Sequence, residues 1–252
     1  MGRFLSLLHK EWIQFRTFLV CTLLLCYVFS LGVPKAIDLV LSEGIIMQEA
    51  VFVGAFFGLF FMFIAGCYQF LRSMSLDVRQ KEIWLHNSSS MYELVGVKII
   101  FTSISMAVSA LLYTIQFYFL KPFLTGTLEI FNLQLLISFF MGTIALAILV
   151  LLLFAFAFHK TMQHYIKGFA IITSVAFMIV VPKILGDIAL LDALEVFPLS
   201  IAFLENYLPK FYSESLYVDF GEIYLGSELF LWALTAVGFV LACKWTEKVI
   251  TK

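Results

Sequence analysis

The chain has 252 residues, of which 62% are apolar and only 13% charged, and its formal net charge is −1. A soluble domain carries about 25% charged residues, so this composition excludes a fully water-exposed globule. Its mean hydropathy of +1.01 points to a lipid-facing surface, and the near-neutral charge, with no basic–aromatic surface, excludes nucleic acid as a partner.

Six runs contain no Asp, Glu, Lys or Arg: 17–33, 50–71, 99–120, 130–158, 168–182 and 229–243. A helix crossing the hydrocarbon needs about 20 apolar residues. Barrel strands alternate with period two, and these runs do not. The pattern predicts an all-α polytopic membrane protein with six transmembrane helices, read as one transmembrane domain over residues 1–252. An even number of spans puts both termini on one side. That side then holds twelve basic residues against four, with Lys35, Lys121, Lys183 and Lys210 on the other. Lys and Arg are retained on the cytoplasmic side, so the expectation is N-in, C-in, in the plasma membrane of a bacterium.

In chain order, residues 2–16 are expected to form an amphipathic helix lying in the inner interface. Phe4, Leu8, Trp12 and Phe15 mark its apolar side, with Arg3, Ser6, Lys10 and Gln14 opposite and Glu11 among the polar residues. Arg16 closes it before the first run. In the second run, Gly54 and Gly58 stand four apart, a spacing that lets helix backbones approach closely in lipid. Residues 72–98 form a polar connection in which Ser75 caps a short helix carrying Asp77, Arg79, Lys81, Glu82 and Trp84. Ser90 and Glu93 then read as a capping box at the start of the third span. That span carries Ser105, Ser109 and Gln116 among other hydroxyls. This stripe either lines a pathway or bonds back to its own helix. The connection 183–228, broken by Pro198 and Pro209, is expected outside the membrane, with short helices at the outer leaflet.

Several chemistries find no residues to carry them. No acid, base or ion pair lies inside the runs, whereas ion-coupled carriers place such groups there despite their cost. No GxxxxGK[ST] cradle for phosphates is present, and no HExxH metal motif. The four cysteines, Cys21, Cys26, Cys67 and Cys243, sit in apolar runs without paired spacing and read as packing residues. No catalytic residue, metal site or cofactor site is expected in the chain.

The arrangement resembles the membrane subunit of type-2 ABC exporters. Three features carry the resemblance: the start LLHKEWIQFRTFLV, which looks like that family's interfacial connecting helix; SLDVRQKEIWLHNSSSMYELVGVKII, which looks like its coupling segment; and the long connection before the last span. The sequence departs from the family where a Pro usually follows the coupling helix, since Asn87-Ser88-Ser89-Ser90 stands there. The resemblance implies a permease that pairs with a second, identical or paralogous permease chain. A separate ABC ATPase subunit would bind ATP and magnesium and dock on Asp77, Arg79, Lys81 and Glu82, with Trp84 as an anchor. Two alternatives stand beside it: a non-transporting membrane factor for assembly, sensing or immunity, and a membrane enzyme acting on lipid, against which the lack of a buried acid–base pair argues.

Overall fold

The computed structural model describes residues 2–32, 46–79, 90–115, 127–186, 198–199 and 223–250. Its helices are α1 (Arg3–Tyr27), α2 (Ile46–Arg79), α3 (Met91–Tyr113), α4 (Thr127–Ile166), α5 (Ala170–Gly186) and α6 (Leu225–Ile250). A π-helical turn, Val28–Gly32, extends α1, and a 3-10 turn, Lys167–Phe169, joins α4 to α5. The two-residue strands β1 (Pro198–Leu199) and β2 (Ile223–Tyr224) pair antiparallel. The chain is a polytopic, all-α membrane protein.

Five stretches among the described residues are long and apolar enough to span a bilayer: Arg3–Gly32, Phe57–Arg79, Met91–Tyr113, Met141–Val181 and Leu229–Val249. This corrects the expectation of six. The run 168–182 is no separate long span, because it belongs to the same stretch as the run before it. α5 has 17 residues and rises about 26 Å, short of the ~30 Å hydrocarbon core. The even-number argument for placing both termini on one side falls with the sixth span.

A second correction concerns residues 2–16. They are the first turns of α1, which continues unbroken to Tyr27. No Pro or Gly stands between Arg3 and Tyr27 to break the helix, and no separate interfacial helix is set apart. The side chains that turn inward are Glu11 and Phe15, one helical turn apart, while Phe4 and Trp12 stay exposed. Likewise Ser75 lies inside α2, which runs on to Arg79, and caps nothing.

The chain divides into two compact units, Met1–Leu149 and Val150–Lys252, the division falling within α4. In the first unit, α2 runs antiparallel to both α1 and α3. Glu11 meets Ser73, the Phe18 ring lies tilted against that of Tyr68 with centroids 5.9 Å apart, and the Cys26 thiol reaches the Gly58 carbonyl at 3.6 Å. α1 and α3 run parallel, since Glu11 meets Lys98 while the Tyr27 hydroxyl donates to the Leu112 carbonyl. Gly58 and Gly66 make the close approach of α3 to α2 possible: a Cβ at either would overlap Tyr113 or Met106. The far end of this unit is apolar, with Cys26, Leu59, Met62, Ala110 and Tyr113 packed together. Ser103 ties α3 to α4 by donating to the Gly142 carbonyl at 2.8 Å.

In the second unit the chain reverses at Lys167, whose φ of 39° is left-handed. α5 folds back along α4, so that Phe158 stacks on Phe177 at 4.9 Å and His159 Nδ1 meets the Ser174 hydroxyl at 3.2 Å. α6 joins them through Trp245, edge-on to Phe154 and Phe158. Gly238 lets Val150 and Phe154 approach it.

Candidate functional site: a buried ion cluster joining three helices

Lys98 is the second-turn lysine of α3 and its side chain is 3% exposed. A lone ammonium in such a place needs partners, since burial of an unpaired charge is prohibitive. Two carboxylates supply them. Nζ lies 2.6 Å from Glu11 Oε1 on α1 and 2.8 Å from Asp77 Oδ2 on α2. Its third contact is the Ser73 hydroxyl oxygen, one turn before Asp77. An ammonium has three N–H donors and no acceptor, so Lys98 is saturated.

The second oxygen of each carboxylate is also used. Glu11 Oε2 accepts from the Ser73 hydroxyl at 2.8 Å. Asp77 Oδ1 accepts from Lys10 Nζ at 3.1 Å, and Lys10 remains half exposed. Two cations face two anions, so the cluster carries no net charge. Every member is satisfied, the condition under which a buried polar network stabilises rather than weakens a core.

Local sequence explains the convergence. Ser73 and Asp77 are four apart, on one face of α2. Glu11 lies on the face of α1 that continues through Phe15. Ser90 begins α3 as its N-cap: its hydroxyl accepts from the Glu93 N–H at 3.3 Å, and its own N–H donates to Glu93 at 3.2 Å. That cap sets where the helix starts, and hence where Lys98 points.

One turn deeper on the same face of α2, Gln69 is 1% exposed, and neither its amide nitrogen nor its amide oxygen has a partner among the described residues. It is the one part of this polar column left unsatisfied. Deeper still lies a narrow cleft among α1, α2 and α3, lined by Phe18, Thr22, Met62, Gly66, Ser105 and Ser109. It has interior room for about one water molecule.

The expected site residues fall as follows. Asp77 faces inward to Lys98 and Lys10, whereas Arg79, two residues on, is exposed. Lys81, Glu82 and Trp84 lie outside the described residues, as does Gln116. Of the α1 set, Glu11 is buried and Lys10 reaches Asp77, while Trp12 and Arg16 are exposed. Gly54 is within α2, and Gly58 lies beneath Tyr113. Ser105 is buried and donates to the carbonyl of Thr102 in its own helix at 2.8 Å; Ser109 is half buried at the cleft.

The expectation that no ion pair lies in the interior is corrected. Glu11, Asp77 and Lys98 border the uncharged runs, and residues in such positions read as exposed. The structure turns all three inward. A legible signal was present: polar residues at four-residue spacing on successive segments, Gln69–Ser73–Asp77 and Lys98–Thr102. Among the described residues no three of His, Cys, Asp or Glu come together to hold a metal ion.

No family model, curated protein or solved structure matches this chain.

Proposed function

We propose that the chain is the permease subunit of an ATP-driven exporter of the type-2 ABC kind, pairing with a like permease and powered by a separate ATPase. The observation that carries the reading is the Lys98 cluster. It fastens three candidate spans to one another at the end where α2 enters residues 80–89 and α3 leaves them. A force applied to that connection would reach α1, α2 and α3 together. Basic residues concentrate at this end, which on the retention of Lys and Arg is the cytoplasmic one, where an ATPase would work. Asp77 is engaged by Lys98, so the docking role passes to the exposed Arg79 together with Lys81 and Glu82. Transport chemistry in this chain would be mechanical, with ATP and magnesium held by the partner.

The test is purification from native membranes in mild detergent with nucleotide. The expected result is co-purification of a soluble ATPase whose activity is uncoupled, or whose docking is weakened, by Arg79→Glu with Lys81→Glu. Recovery with other membrane proteins and without an ATPase would instead support an assembly, sensing or immunity factor.

A further inference from the structure

The cluster changes the electrostatics of the end of the first unit in a way the net charge conceals. Both carboxylates of α1 and α2 at this end, Glu11 and Asp77, are withdrawn from the surface. Arg3, Arg16, Arg72 and Arg79 remain exposed, and Lys10 is half exposed. Lys10 is matched by Asp77, so four arginines stand against one exposed acid among the described residues of this end, Glu93, whose carboxylate is held to the Ser90 N–H. Between the basic residues lie exposed Phe4, Leu5, Trp12, Ile13 and Tyr92.

Length places this surface. The stretch Arg3–Gly32 has 30 residues and rises about 45 Å, about 15 Å more than the hydrocarbon core and about the thickness of a bilayer with its headgroups. That surplus falls at the charged end, so Arg16 and Arg72, which the Glu11–Ser73 and Phe18–Tyr68 contacts put at about one level, reach from the edge of the hydrocarbon into the headgroup layer, and Arg3 lies about 20 Å further out along α1. Apolar and aromatic side chains interleaved with basic ones are the composition of a surface that lies in that layer. Arg72 is also oriented there: it donates to the Tyr68 hydroxyl at 3.3 Å, and Phe18 lies against that ring.

We infer that the end of the first unit surrounding the Lys98 cluster is a binding surface for anionic phospholipid headgroups, engaged by Arg16 and Arg72. Burial of Glu11 and Asp77 is the cause, because exposed carboxylates beside these residues would cancel the attraction. The inference is independent of whether an ATPase partner exists.

The experiment uses the full chain purified in a neutral detergent. It is titrated with phosphatidylglycerol or phosphatidylcholine, and bound lipid is counted by native mass spectrometry. Phosphatidylglycerol should be preferred, and Arg16→Gln and Arg72→Gln should each reduce that preference about fivefold. Neither side chain belongs to the ion cluster, so the fold should persist. Ile13→Lys, which adds a basic residue at an exposed position, should raise the preference by a similar factor and serves if the arginine variants fail to fold. Inorganic phosphate at matched concentration should not compete. Equal uptake of the two lipids, a preference unchanged by the substitutions, or full competition by inorganic phosphate would each overturn the inference.

Discussion

The two ends of the three-helix part of the first unit are held by opposite means. At one end Lys98, Glu11, Asp77 and Ser73 form a closed ionic network. At the other, Cys26, Leu59, Met62, Ala110 and Tyr113 pack without charge, and Gly58 gives Tyr113 its place. The ionic end is specific and intolerant: three donors on one nitrogen match three acceptors on two other helices, and loss of Lys98, Glu11 or Asp77 leaves a buried charge uncompensated. The apolar end depends on shape. In lipid, where apolar packing gains no hydrophobic driving force between helices, close backbone approach at glycine has to do that work. The same helices thus carry one joint fixed by charge and one fixed by shape.

The largest effect should come from breaking the joint. Lys98→Met leaves Glu11 without its cation and Asp77 with Lys10 alone, and should destabilise the chain by about 3–5 kcal/mol, measured by unfolding in mixed micelles. Replacing Lys98, Glu11 and Asp77 together by apolar residues of similar size should recover most of that loss, since removal of a whole buried ion network is often neutral. A triple variant no more stable than Lys98→Met would show that the cluster does more than satisfy its own charges. Because the cluster is buried, the loss should change little between low and high salt.

The apolar end is tested by Gly58→Ala, whose methyl group would overlap Tyr113. Overpacking of this kind costs about 1–3 kcal/mol. Tyr113→Phe in the same chain should relieve part of it by removing the hydroxyl that the methyl meets first. Purely additive effects would mean that the two residues do not touch.

Gln69 separates the two regimes, and its substitution should act in the opposite direction. An amide buried without a partner costs about 1–3 kcal/mol, so Gln69→Met should leave the protein as stable or make it more so by roughly 1 kcal/mol. A clear loss of stability would mean that the amide is bonded in the membrane, to water or to a partner chain.

The smallest effect belongs to the cap that aims Lys98. Ser90→Ala removes the acceptor for the Glu93 N–H and should cost about 1 kcal/mol. It should also speed amide hydrogen exchange in the first turn of α3 while leaving Gly58 and its surroundings unchanged. Unchanged exchange at Met91–Glu93 would show that the cap does not hold the helix start.

Much of the molecule follows from local rules. The uncharged runs made a polytopic helical protein necessary, because only an internally bonded backbone survives in hydrocarbon. The box at Ser90 and Glu93 was legible because capping involves residues three apart. What local rules could not decide was the continuity of α1 through Arg16, the extension of α2 past Ser75, and the reversal at Lys167 that leaves α5 only 17 residues long. Charges mark the edges of apolar runs, but a helix ends only where its backbone bonds end. The inward turn of Glu11, Asp77 and Lys98 was still further out of reach. They lie 66 and 21 residues apart along the chain, and a charge is tolerable in the interior only when the opposite charge arrives from another helix. That pairing belongs to the tertiary structure, which alone decides whether a charged residue at the end of a span faces the headgroups or holds three helices together.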